Sequence, residues 1–442
     1  MRATIDKLLL IPAKGQTLDI RSLVMEINVY QDLYDHYMHC DLVVLDSTDI
    51  AGASAQDVEN WINGGFTGLD TLLFQYTPVG GIGVQISNLF MLYERSARSI
   101  VKDGMWGYVL SGVSLESYQS FSKKISRAYG GSSGNTIDKM IASITKEYLY
   151  NRAVRDDYNS IKLDTQTVIE KNIFIEPTIG AHRFVIPTLS VDDTIEFLAN
   201  EADSTSHIPQ YLFYENYQGF NFRNLETLIS LKPRQKFALT AFNLNSEYTR
   251  PTGADKIINY SVVKENNLLE KVRDGMFKSK VIQLDVLKKR KVEQVWDYAK
   301  GSTRFTTLQS FRHEGNVDDS DANVTLMTTR AGHDCQCMVF KRENHLPKRI
   351  DQFIAARKAY MKHIFNTTLD VEVAGTTALD VGNNVYLKFP ISDGLEDRED
   401  LIDTQLTGKY IVTKIRNQFS GISTESEMKT IFRCSKDTQI QL

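Results

Sequence analysis

The 442-residue sequence predicts an α+β, mainly β fold, with a β-barrel toward each end and helical and mixed insertions between them. Three observations predict it. Short segments of alternating apolar and polar residues, divided by Gly, Asn and Asp-Gly turn signals, fill about the first hundred residues, the texture of a barrel or sandwich. Apolar residues spaced by three and four then mark amphipathic helices in the middle. The cleanest alternation of the whole chain follows toward the end.

In chain order, Leu18, Ile20, Val24, Ile27 and Val29 sit near period-two spacing. Residues 51–63 are small and polar and predict a loop. Strand character resumes over 66–78, 82–93 and 105–113, with Asp103-Gly104 as a hairpin turn. Leu115, Tyr118, Phe121, Ile125 and Tyr129 predict one face of a helix over 115–129, ended by Gly130-Gly131-Ser132-Ser133-Gly134. Asn135 is placed to cap a second helix with Ile137, Met140, Ile141, Ile144 and Tyr148 as its buried stripe. Ser190-x-x-Asp193 resembles a capping box for a third, carrying Ile195, Leu198 and Ala202. Strands return over 211–239 and 257–298, residues 313–324 read as an acidic loop, and Pro347 starts a fourth helix bearing Ile350, Phe353, Ile354, Tyr360 and Ile364. Three strands then alternate strictly: Leu369, Val371 and Val373 against Asp370 and Glu372; Val385, Leu387 and Phe389 against Tyr386 and Lys388; Ile411, Thr413 and Ile415 against Tyr410, Val412 and Lys414. The expected division is 1–114 for the first barrel, 115–252 for the middle α/β region with its hairpin, and 253–442 for the second barrel, including a helix near 348–365.

Composition narrows the function. With 51 basic and 55 acidic residues the formal charge is −4, so no basic surplus exists to neutralise a phosphate backbone. Four cysteines (Cys40, Cys335, Cys337 and Cys434) are too few for a disulfide framework in a chain this long and suit a reducing compartment. The start, with only Leu8-Leu9-Leu10-Ile11 before Pro12, does not read as a signal peptide, and no apolar run reaches the roughly 20 residues needed to span a bilayer.

Candidate chemistry is sparse. His333-x-Cys335-x-Cys337 on a strand would aim three soft ligands at one face, yet zinc sites usually place cysteines more widely on a turn and need a fourth ligand. Small buried strand residues are the simpler reading. His36, His39 and Cys40 have helical spacing in a strand context. The 130–134 stretch joins two helices rather than a strand and a helix, so it reads as a connector and not a phosphate cradle. Asp156-Asp157 and Asp192-Asp193 read as solvated surface, and Lys288-Lys289-Arg290-Lys291 as an exposed face or a contact for an acidic partner. No G-x-S-x-G, phosphate-loop, H-E-x-x-H or kinase signature is present. No catalytic, cofactor-binding or metal-ligating residue is therefore assigned, no cofactor is expected, and the chain reads as a non-enzyme.

Several phrases in order resemble the baseplate hub proteins of contractile-tailed phages, which are related to the hub part of type VI secretion spike proteins. They are Val109-Leu110-Ser111-Gly112-Val113-Ser114 entering a helix, Leu212-Phe213-Tyr214-Glu215-Asn216 with Gly219-Phe220-Asn221-Phe222, Leu369-x-Val371-x-Val373-Ala374-Gly375, Leu379-Asp380-Val381-Gly382-Asn383-Asn384-Val385, and Gly408-Lys409-Tyr410-Ile411-Val412. What the resemblance implies is two tube-type barrels per chain and a homotrimer forming a six-fold-like ring. Such a ring would join the central spike protein to the tail tube or tube-initiator protein, beside the baseplate wedge proteins. The polar row Asp370, Glu372, Tyr386 and Lys388 would face a lumen that passes DNA without specific binding. The setting implied is the virion, with synthesis in the host cytoplasm and no membrane anchor. Two other classes remain: a tail-associated cell-wall hydrolase, expected to show a deep cleft with paired carboxylates within 120–240, and a carbohydrate-binding adhesion protein with exposed aromatic platforms.

Overall fold

The computed structural model describes residues 2–12, 17–47, 68–79, 85–102, 105–130, 135–149, 171–180, 182, 184–205, 208–239, 255–285, 289–308, 323–328, 349–390, 402–422 and 425–437. The first quarter of the chain supplies β1 (Arg2–Ile11), the two-residue β2 (Leu18–Asp19), β3 (Val24–Asp32), β4 (His39–Ser47), β5 (Asp70–Pro78), β6 (Ile86–Lys102) and β7 (Met105–Ser114). The middle supplies α1 (Leu115–Ser122), β8 (Lys124–Tyr129), α2 (Ile137–Ile144), β9 (Asn172–Ile175), β10 (Phe184–Ser190), α3 (Val191–Glu201), β11 (Tyr211–Asn216), β12 (Gly219–Asn224), α4 (Leu225–Ser230) and β13 (Gln235–Ala238). The remainder carries β14 (Ile257–Glu265), α5 (Leu268–Arg273), β15 (Lys278–Asp285), β16 (Arg290–Asp297), β17 (Asn323–Thr328), α6 (Arg349–Ile364), β18 (Thr367–Ala374), β19 (Asn384–Lys388), β20 (Gly408–Ser420) and β21 (Glu425–Lys436).

Strand pairing returns on itself twice. The order β3-β4-β7-β6-β5-β1 is antiparallel throughout, and it is closed by the hairpin β20–β21, with β20 on β3 and β21 on β1. This first ring has eight strands. Its interior is filled by Leu8, Leu10, Ile27, Val29, Leu42, Leu72, Phe74, Phe90 and Leu110 together with Phe419 and Met428 of the hairpin, so it is a packed core and not a pore.

The second circuit uses the other half of the same hairpin. Here β19 lies on β20, β18 lies on β21, β13 flanks β19 and β14 flanks β18. A parallel bridge between Ala238 and Lys256 brings β13 to β14 and completes a six-stranded ring. Leu369, Val371, Val373, Val385 and Leu387 point inward with Ile415 and Phe432, and Tyr360 of α6 packs on them. The strict alternation of β18 thus matches the burial: Leu369, Val371 and Val373 are buried, while Asp370 and Glu372 lie on the outer face.

The middle region has its own core. Stripe residues Ile137, Met140, Ile141 and Ile144 of α2 and Ile195 and Leu198 of α3 pack on Phe213, Phe220 and Phe222 of the β11–β12 hairpin. Ser190 caps α3 as its sequence implies, accepting from the Asp193 amide at 3.0 Å. Two features differ from expectation: Asn135 does not cap α2, whose N-cap position is Thr136, but bridges to His182 through its backbone, and the first predicted helix is cut short. The helix predicted over 115–129 ends at Ser122, and Lys124–Tyr129 is a strand paired with β10. Tyr118 and Phe121, expected on the buried stripe, are exposed, and Glu116, Ser117 and Ser120 face inward instead. A strand partner from 184–190, absent from any local window, overrides the helical spacing of Ile125 and Tyr129.

Asp103-Gly104, Asp156-Asp157, His333, Cys335 and Cys337, Lys288 and most of the 313–324 loop lie outside the described residues. Among the described residues no helix is long and apolar enough to cross a membrane, and no cluster of His, Cys, Asp and Glu is placed to hold a metal.

Candidate functional site

The shared hairpin carries a basic outer face. Lys414 and Arg416 on β20 and Lys429 and Arg433 on β21 alternate with its buried residues, so they all emerge on one side of the sheet. Each meets a carboxylate from a flanking strand. On the second ring, Asp370 takes Arg433 through two bonds, 2.7 and 2.9 Å, and Glu372 stands 3.6 Å from Lys429. On the first ring, Asp32 pairs with Lys414 at 2.6 Å and Glu26 with Arg416 at 3.3 Å. The Arg416 Nε also donates to Asn28 Oδ1 at 2.8 Å. Four cations from the hairpin are therefore answered by two carboxylates from each ring, and the outer sheet is charged but nearly balanced. The bidentate contact with Asp370 raises the pKa of Arg433.

Where the two rings meet, the buried side is polar. Asn417 of β20 donates to the Tyr217 hydroxyl at 2.8 Å and accepts from Thr430 of β21 at 2.7 Å. Tyr217 sits in the β11–β12 turn, so the middle region reaches into this seam. Beside it, buried Asp380 accepts from the Gln31 amide at 3.4 Å, and burial lifts its pKa to about 6.

A third polar cluster joins the first ring to the middle region. Glu215 of β11 accepts from the Met38 amide at 3.0 Å and from the Ser114 hydroxyl at 2.6 Å. Lys171 stands 2.5 Å from both Glu215 and Glu116. Burial raises the Glu116 pKa against the opposing pull of that lysine. At the β3–β4 turn, Tyr37 donates to Asp192 at 2.7 Å, His36 lies 3.4 Å from Asp192, and His39 lies 3.0 Å from Asp35. Asp192 is thus a paired, half-buried group and not the solvated one its sequence suggested. Asp193 turns back to the Ser190 hydroxyl. His36, His39 and Cys40 do not converge: the histidines go to separate carboxylates and Cys40 enters the core of the first ring. Of the basic run, Lys289 occupies the β15–β16 turn with φ +48° and Lys291 pairs with Glu293.

Sequence reasoning singled out Asp370, Glu372, Tyr386 and Lys388 as a polar face. The structure gives Asp370 and Glu372 their partners and adds Glu26, Asp32, Arg416, Lys429 and Arg433 to the face, together with Lys414 of the alternating strand. The signal was the alternation of Lys414, Arg416, Lys429 and Arg433 with apolar residues. It marked a face, but not which strands flank it.

No protein-family model matches the sequence, and no curated protein matches it. Solved structures do. The tail protein from Neisseria meningitidis MC58 aligns with a TM-score of 0.51 and 11% identity over 98% of this chain and 96% of its own. The 43 kDa tail protein of prophage MuSo2 from Shewanella oneidensis aligns with a TM-score of 0.51 and 9% identity over 98% of each chain. Nearly the whole chain is covered in both cases, and the fold described above is the fold of these two tail proteins.

Proposed function

We propose that the chain is a structural, non-enzymatic baseplate hub subunit of a contractile phage tail. Each chain supplies two tube-type barrels, the first built mainly from 1–114 and the second mainly from 253–442 with β13 added from the middle region, and the rest of 115–252 is braced against both. Three copies form a six-fold-like ring that holds the central spike on one side and the tail tube on the other. The observation that carries this reading is the hairpin β20–β21, which closes two strand rings at once, so that one polypeptide carries two ring units. A three-fold assembly of such subunits shows six units around its axis, the arrangement a joint between three-fold and six-fold parts requires.

The charge ladder on the outer sheet fits a lumen wall. A conduit for DNA must not hold it, and cations answered one for one by carboxylates leave no phosphate-binding surplus. Light scattering on the purified chain, alone and with its spike, tests the assembly; a monomer in every mixture would overturn the reading. The conduit is tested by removing the four acids together (Glu26→Gln, Asp32→Asn, Asp370→Asn, Glu372→Gln). The assembled variant should retain double-stranded DNA at low salt and release it as salt rises, while the parent ring retains none. Equal retention by both would remove the lumen assignment.

A further inference from the structure

A cavity of about 480 Å³ opens where the β3–β4 turn, α1, α3, the start of β11 and α6 converge. Its size falls within the range of small-ligand sites, roughly 300–1,000 Å³. The lining is mixed, so the chemistry of a ligand can be narrowed by elimination.

An anion is disfavoured. Arg357 is the one lysine or arginine among the described lining residues, and its guanidinium already donates to three carbonyls: Pro209 at 2.6 Å, Asn200 at 2.8 Å and Ala202 at 3.1 Å. A compact cation is disfavoured as well, because two of the three lining carboxylates carry partners from the wall itself. Asp35 faces His39, and Asp192 faces His36 and the Tyr37 hydroxyl. Only Glu196, exposed one turn along α3 from Asp192, has none of these. A purely apolar guest would take water from the polar groups that line the cavity, Asp35, Asp192, Glu196 and Asn200 among them.

What remains is a neutral molecule rich in hydroxyls, each able to donate and to accept. The aromatic residues suit it. Phe213 lies in the wall against His36, ring centroids 5.5 Å apart, while Tyr34 and Phe121 stand exposed at the cavity, Phe121 at 66%. Flat rings beside planar carboxylates and amides match the C–H faces and hydroxyl edges of pyranose rings. We propose that this cavity binds a short neutral saccharide. Asp192 is held by Tyr37 and His36 and is not offered as a free acid or base, so the inference is of binding without bond cleavage.

Saturation-transfer NMR on the full chain with maltotriose and with N-acetylchitotriose tests it. Ring protons of at least one trisaccharide should receive saturation, the signal should fall severalfold in Phe121→Ala and in Glu196→Gln, and both variants should melt as the parent does, since both positions are exposed. Absence of transfer from both sugars would overturn the proposal, as would transfer undiminished in both variants, or complete competition by spermidine, which would mark a cation site. Because the readout does not depend on oligomeric state, its failure and that of the hub reading are separable.

Discussion

The two rings share a hairpin but close by different means. Every strand of the first ring is laddered to both neighbours, and even its most distant contacts, Arg2 to Glu427 and Glu26 to Ser420, are ordinary antiparallel pairs. The second ring is laddered on all sides but one, where a single bridge and the bond from the Ala238 amide to Asp255 O, 3.0 Å, span β13 and β14. Its core is correspondingly thicker, taking Tyr360 and Ala359 from α6, Leu228 and Ile229 from α4, and Tyr298 and Phe305 from the 298–305 segment. Backbone closure and side-chain burial are thus alternative ways to complete a ring. Which one is used decides where each ring is vulnerable.

The largest test places one truncation in each ring along the same hairpin. Phe419 packs with Phe74 and Tyr76 in the first ring, and Phe432 packs with Phe237 in the second. Phe419→Ala and Phe432→Ala should each destabilise by about 3–5 kcal/mol. Calorimetry should show one transition moving in both variants, because the hairpin couples the rings. Two transitions, with only one displaced by each substitution, would mean that the rings are independent.

A smaller effect is expected at the seam. Asp380 has its pKa raised from 3.8 to about 6, so the folded state holds the proton more tightly than the unfolded chain does. Stability from this group is present in full at low pH and is lost as pH rises through 6. Asp380→Asn should therefore stabilise by up to about 3 kcal/mol near pH 8 and by almost nothing near pH 4. Denaturation across that pH range reads the difference directly, and a variant destabilised more near pH 8 than near pH 4 would show that the carboxylate is needed charged.

The smallest effects belong to the outer ladder. Double-mutant cycles on Asp370 with Arg433 and on Glu26 with Arg416 should each give at most about 1 kcal/mol, since the pairs are partly exposed and screened by salt. The bidentate Asp370 pair should exceed the other. A coupling well above that range would assign the ladder a stabilising role beyond its electrostatic balance.

Much of the second ring was legible in the sequence because its strands are amphipathic on a two-residue period. Leu369, Val371 and Val373 declare their buried face without reference to any partner. The stripe of α2 and the Ser190 cap of α3 were legible for the same local reason. The charge ladder was not, since Glu26 and Arg416 are 390 residues apart and no window contains both. Nor was the hairpin's double role. Phe419 and Phe432 look alike in sequence, and only long-range pairing assigns them to different cores. The strand 124–129 is not legible locally, because Ile125 and Tyr129 fit a helical spacing while their actual neighbours come from 184–190.

The hairpin that finishes the first ring also sets an order on synthesis. While the ribosome is still making this protein, β1 to β7 emerge early with two edges unfilled, since the strands that belong between β1 and β3 lie at 408–436. Native closure must wait until residues 408–436 have been made, about 300 residues after β7, which predicts slow folding and a stretch during which nascent apolar strands need shielding. A product truncated before residue 408 would lack β20 and β21 and so could close neither ring.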